Sequence, residues 1–263
     1  MNPAHEQNRR AWDERVRRRA AHTEPASEDD FRDPLAVVDQ GGWLGGPVAG
    51  QRVLCLAAGG GKHGPLFAAL GAQVTVVDLS PQMLELDRRV AAGRGLRVAT
   101  VEASMDALPM FGDATFDMVI QPVSTCYVAD LLAVYREVAR VTASGGIYVS
   151  QHKQPASLQA EATGSVRGYL LNEPYYRDGP LPPVVDGLQH REAGTMEFLH
   201  RWEELIGGLC RSGFVLEDLA EPRHADARAS PGSFAHRCHY APPFVTLKAR
   251  RRDEVKAAKL WTP

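Results

Sequence analysis

The chain has 263 residues, 44% of them hydrophobic and 24% charged, with a formal net charge of -2. That length and apolar content suit one large α/β domain with an ample core, or one domain plus a sizeable insertion. The near-neutral balance offers no field to gather nucleic acid or an anionic membrane, and no run approaches the ~18 apolar residues of a membrane span, so neither partner is expected.

Residues 1–50 read as a helical cap: an amphipathic helix "EQNRRAWDERVRRRA", an acidic loop, a short "PLAVVDQ" helix and a glycine-rich lead. Seven arginines up to residue 33 are outweighed by eight acids, which marks a solvated helix face and not a nucleic-acid arm. The stretch also lacks the apolar middle of a secretory signal. From Arg52 strands and helices alternate through a core expected over 51–152. "RVLCLA" is a buried strand, "GPLFAALG" a helix and "QVTVVD" a strand; Ser80 and Pro81 then open the helix "SPQMLELDRRVAAG". "LRVATV" and "FDMVIQ" follow as strands. Leu131, Val134, Val138 and Val141 line one helix face, and "GGIYVSQ" is the fifth strand. Such alternation predicts a doubly wound, mostly parallel sheet with helices on both faces.

Residues 153–196 break the rhythm. Their proline, glycine and tyrosine content predicts a packed insertion, and its exit from the C-terminal end of the fifth strand places it as a lid over an acceptor, with a dimer-forming arm as the alternative. Residues 197–263 then supply a helix with Phe198, Trp202, Leu205 and Leu209 on one face, a sixth strand "GFVLEDL", a long loop without a helix, and a seventh strand "FVTLKAR" that can insert antiparallel. The cysteines Cys55, Cys126, Cys210 and Cys238 form no C-x-x-C pair, which predicts free thiols in a reducing cytoplasm. "HRCH" at 236–239, read as extended, points His236 and Cys238 one way and His239 the other, so no metal site is expected.

The chemistry concentrates in "VLCLAAGGGKHGPLFAALGAQVTVVDLSPQML". Gly59, Gly61 and Gly64 satisfy G-x-G-x-x-G, and Asp78 ends the second strand, so the unit fits a dinucleotide or S-adenosylmethionine. The order of motifs resembles the class I S-adenosylmethionine-dependent methyltransferases, most nearly the small-molecule, UbiE-like type. In that family the first turn carries an acid followed by three alternating glycines. Here Cys55 replaces the acid and Ala57 the first glycine, while Gly59 and Gly61 keep the other two. The resemblance implies S-adenosylmethionine as cofactor. Ala57, Gly59 and Gly61 would form its turn and Asp78 would hold the ribose, with Ser80 and Met83 beyond it. Ser104, Met105 and Asp106 would border the adenine; the family's acid orients the glycine turn or the cofactor's amino group, and here a carbonyl or Gln121 would take over the ammonium contact.

Methyl transfer needs in-line positioning and, for some acceptors, a base. His152 and Tyr127, at the ends of the fifth and fourth strands, are the expected catalytic residues; His200, Tyr175 and Tyr176 are further candidates. The expected activity is methylation of an O or N nucleophile of a small molecule by a protein that could be a homodimer. An NAD-dependent oxidoreductase and a non-catalytic cofactor-binding protein on the same fold are the alternatives.

Overall fold

The computed structural model describes residues 2–164, 168–184 and 190–252. Parts of the expected insertion, 165–167 and 185–189, lie outside the described residues, as do residues 253–263. Seven strands form one sheet: β1 (Arg52–Leu56), β2 (Gln73–Asp78), β3 (Val98–Glu102), β4 (Phe116–Gln121), β5 (Thr142–Lys153), β6 (Phe214–Ala220) and β7 (Phe244–Arg251), in the order β3-β2-β1-β4-β5-β7-β6. β1 to β5 pair in parallel, and β7 runs antiparallel between β5 and β6. The winding reverses between β1 and β4, which opens a crevice at their C-terminal ends.

Alternation along β1 explains the two-sided core. Leu54 and Leu56 join Val119, Val134, Val138, Tyr148 and Leu247 on one side, whereas Val53 and Cys55 join Phe67, Val76, Leu84 and Met118 on the other. The helices that cover these faces are capped as their sequences require. Ser80 Oγ accepts the Met83 amide at the start of α4 (Pro81–Gly93), and Asp130 accepts the Ala133 amide ahead of α5 (Leu131–Val141). α1 (Pro3–Arg17) is capped by Asn2 and lies against α4, while α2 (Pro34–Val38) packs on α3 (His63–Ala69).

Two expectations for the C-terminal part are corrected. The helix expected from Phe198 starts only at Glu203. Phe198 is held outside it by donating its amide to the Cys126 carbonyl at 2.7 Å, and Glu203–Gly208 winds as a π-helical turn before α7 (Leu209–Arg211). The β6–β7 connection does contain a helix, α8 (Phe234–Arg237), so "HRCH" is not extended. Arg237, 2% exposed, turns its guanidinium onto the carbonyls of Ser157, Ala160 and Glu161 at the end of α6 (Pro155–Gln159). No group of three metal-ligating side chains is found among the described residues.

Candidate active site

The turn after β1 is seated directly on α4. A Cβ on Gly61 would come within 3.0 Å of the Leu86 carbonyl, one on Gly60 within 3.0 Å of Met83 Cε, and one on Gly59 within 2.8 Å of Met83 Cβ. Gly60 and Gly61 also hold φ of 123° and 77°, so these positions demand glycine both for space and for backbone conformation. Ala57 takes φ 47° without that freedom.

Two carboxylates fasten successive amides of this turn. Asp78, at the end of β2, accepts the Gly59 amide on Oδ2 and the Ser80 amide on Oδ1, both at 2.9 Å. Asp87, from α4, accepts the Gly60 amide on Oδ2 at 2.9 Å. Burial raises both carboxyls, to about 6 for Asp78 and about 7 for Asp87, against the opposing pull of the neighbouring amides.

A cavity of about 560 Å³ extends from this turn along the C-terminal ends of the strands. Ala57, Gly59, Asp78 and Met83 line one end, and Ser104 and Met105 line a side wall. Tyr127, Gln151, Glu192 and Phe244 line the other end. The roof comes from the N-terminal segment. His5, Asn8 and Trp12 of α1 line the cavity, as do His22, Pro25 and Asp30 beyond it. Asn8 fastens the roof: its amide nitrogen donates to the carbonyls of Tyr127 and Met196, both at 3.0 Å, and its oxygen accepts the Met196 amide at 2.7 Å. Asp13 accepts from the Ser80 hydroxyl at 2.6 Å, and the Ala26 amide donates to the Gly61 carbonyl at 3.0 Å. His63, half-buried and lining the cavity, is pushed down to about 4 by desolvation and by the Lys62 charge.

At the far end, Tyr127 stacks edge-on to Trp12 with ring centroids 5.9 Å apart, and its hydroxyl donates to Glu192 Oε2 at 2.7 Å. Lys153 donates to that same oxygen at 2.7 Å and also pairs with Glu197, which in turn pairs with Arg191. Burial works against the Glu192 charge, but the Lys153 ammonium and the hydrogen bonds from Lys153 and Tyr127 outweigh it and hold the carboxyl well below its usual range. Burial and the Glu192 charge push the Tyr127 phenol up.

Residues 54–150 match the methyltransferase domain family. The chain is 37% identical over 182 residues to an uncharacterized methyltransferase of Bacillus subtilis, a match covering 67% of this chain and 71% of that protein. It is 42% identical over 177 residues to a demethylmenaquinone methyltransferase of Clavibacter sepedonicus, covering 64% of this chain and 67% of the relative. A crystal structure of an S-adenosylmethionine-dependent methyltransferase from Mesorhizobium loti superposes with a TM-score of 0.64 at 24% identity, over 78% of this chain and 93% of that one. This chain is a class I S-adenosylmethionine-dependent methyltransferase.

Of the residues singled out in this methyltransferase's sequence, the cavity gathers Ala57, Gly59, Asp78, Met83, Ser104, Met105 and Tyr127. The others stand behind its walls. Gly61 is packed on α4, and Ser80 is spent on capping α4 and on Asp13. Asp106 lies 3.2 Å from His5 Nε2, with its Oδ1 buried and unpartnered. Gln121, expected to meet an ammonium, is 1% exposed and turned inward: its amide nitrogen donates to Ser124 Oγ and meets Met105 Sδ, and its oxygen accepts from the Tyr148 hydroxyl.

His152, expected at the chemistry, is turned into the core. It is fully buried, with Nδ1 on Thr125 Oγ1 and Nε2 on Ser150 Oγ, both at 2.8 Å, and burial with a contribution from His200 lowers it to about 3. Such an imidazole is neutral and bridges two buried hydroxyls, and it is not among the residues that line the cavity. His200, likewise buried, is bound to the Thr125 carbonyl. The insertion's tyrosines face elsewhere: Tyr169 bonds His236, Tyr175 accepts the Trp202 amide, and Tyr176 is 77% exposed. Among the described residues of the insertion, Glu192 lines the cavity, and Trp12 of α1 adds an aromatic side chain to the lining.

Sequence reasoning passed over Asn8, Trp12, Asp87 and Glu192. Asp87 had a signal. It falls with Met83, Leu84 and Ala91 on the buried face of α4, an acid in an apolar stripe.

Proposed function

We propose that this methyltransferase transfers the methyl group of S-adenosylmethionine to an oxygen or nitrogen nucleophile of a small molecule bound beside Tyr127. The observation that carries this reading is the single cavity that joins the glycine turn and Asp78 to the Tyr127–Glu192 wall beneath α1. Its volume lies in the range of small-molecule sites.

The residues present fit the cofactor. Each Asp78 oxygen accepts one backbone amide, which leaves a lone-pair position on each for the two ribose hydroxyls. Gly59 and Gly60, packed against Met83 without side chains of their own, present backbone to the cavity, and Ser104 with Met105 offers a wall for the adenine. The cofactor supplies a methyl group already activated on a sulfonium. What remains for the chain is to orient the acceptor and exclude water. Tyr127 and Glu192 suit orientation: the phenol keeps its proton and the carboxylate keeps its charge, so neither takes up a proton readily near neutrality. The reading therefore favours an acceptor that reacts without a strong protein base. The relative named as a demethylmenaquinone methyltransferase supports a small-molecule acceptor.

Calorimetry with S-adenosylhomocysteine and NADH tests the cofactor half, and the expected result is binding of the former only. Incubation with S-adenosylmethionine and fractionated metabolites, followed by mass spectrometry, should show a species heavier by one methylene. Binding without turnover across all fractions would favour the non-catalytic reading.

A further inference from the structure

The family's β1 acid is missing at Cys55, yet the glycine turn is held by a carboxylate all the same. We infer that Asp87 of α4 is a positioning residue for the cofactor turn, doing from the helix what relatives do from the first strand. The inference rests on the methyltransferase reading of the site.

Four observations converge on it. Asp87 is fully buried, on a helix face whose other buried members are Met83, Leu84 and Ala91, where a carboxylate has no reason to be unless it is used. Its Oδ2 accepts the Gly60 amide at 2.9 Å, and Gly60 lines the cavity next to Gly59, whose own amide is bound by Asp78. The same Gly60 amide is 3.1 Å from the Met83 carbonyl, so Asp87 acts where α4 and the turn are already in contact. Finally, Cys55 shares a core cluster with Leu84 of α4, so the vacated β1 position and this helix lie on the same face of the sheet.

The second oxygen, Oδ1, is buried without a hydrogen-bond partner, and a Cβ on Gly64 would come within 3.1 Å of it. Gly64 thus leaves room for this carboxylate as well as for Val76, whose Cγ2 such a Cβ would meet at 2.4 Å. Keeping an incompletely satisfied carboxyl in the core is costly, and the turn it orients is the compensating gain. With the amides of Gly59 and Gly60 fixed by one carboxylate each, the turn presents a set backbone to the cofactor before binding.

Relocation of the acid supplies the test. Asp87→Ala should bind S-adenosylhomocysteine at least tenfold more weakly than wild type, while Asp87→Ala combined with Cys55→Asp, which returns the acid to β1, should recover most of that loss. Asp87→Asn keeps the shape and one acceptor oxygen. It serves if the alanine variant does not fold, with a several-fold loss that Cys55→Asp likewise reverses. Affinities are read by calorimetry on protein whose near-UV spectrum matches wild type. A folded Asp87 variant with wild-type affinity, or a double variant that binds no better than the single one, would overturn the inference. Wild-type binding of S-adenosylhomocysteine is measured first, so that failure of the cofactor reading itself is seen separately.

Discussion

At the scale of single residues, Asp78 and His152 illustrate opposite uses of burial. Asp78 is surrounded by donors and keeps a lone pair free on each oxygen, so Asp78→Asn should lose a charge-assisted contact and weaken S-adenosylhomocysteine binding by on the order of 2 kcal/mol. Calorimetry on folded variant protein decides this, and unchanged affinity would remove the ribose assignment. His152 has both ring nitrogens spent on Thr125 and Ser150. His152→Ala should therefore leave two buried hydroxyls unpaired and destabilise the protein by about 2–4 kcal/mol in denaturant titration. The same change should leave the shape of the pH–rate profile intact once an acceptor is known. A lost limb in that profile would restore His152 to the chemistry.

At the scale of elements, the N-terminal helix contributes His5, Asn8 and Trp12 to the cavity lining. Asn8 alone makes three hydrogen bonds that tie α1 to the chain at Tyr127 and at Met196. Asn8→Ala should cost roughly 2–3 kcal/mol of stability and quicken cofactor release, since the roof loses its fastening beside Tyr127. Stopped-flow displacement of S-adenosylhomocysteine measures the second effect; an unchanged off-rate would mean that α1 is not a gate. The strands, helices α4 and α5 and the glycine turn were legible because each rests on local chemistry: apolar runs, the Ser80 cap, the apolar face of α5, and glycines at a forced approach. The roof was not. A solvated arginine-rich face says nothing of what its opposite side covers, and Asn8 and Trp12 acquire meaning only from residues more than a hundred positions away. The direction of Gln121 and His152 was hidden for the same reason, because partners such as Tyr148 and Thr125 are fixed by the sheet and not by sequence neighbours.

For the whole molecule, burial of titratable groups creates opposing pH dependences. His63, His152 and His190 are lowered to about 4, 3 and 3, chiefly by burial, so the unfolded chain takes up protons first as pH falls from 6.5, and their contribution to stability grows between roughly pH 3 and 6.5. Asp78 and Asp87 act in the other direction. Their folded values, about 6 and about 7, lie above the unfolded 3.8, so the native state binds the extra proton and their contribution is lost as pH rises through the folded values. A melting curve of wild type alone mixes the two. The difference between Asp87→Asn and wild type isolates one, since the amide carries no charge at any pH. That difference should be small near pH 4 and should grow in favour of the variant by on the order of a few kcal/mol by pH 8. Denaturant titration at pH 4, 6 and 8 provides the comparison. A flat difference would mean that Asp87 ionises in the fold as easily as in water. A rising one, together with weaker cofactor binding by the same variant, would show that this methyltransferase sacrifices stability at neutral pH to keep a carboxylate under its cofactor turn.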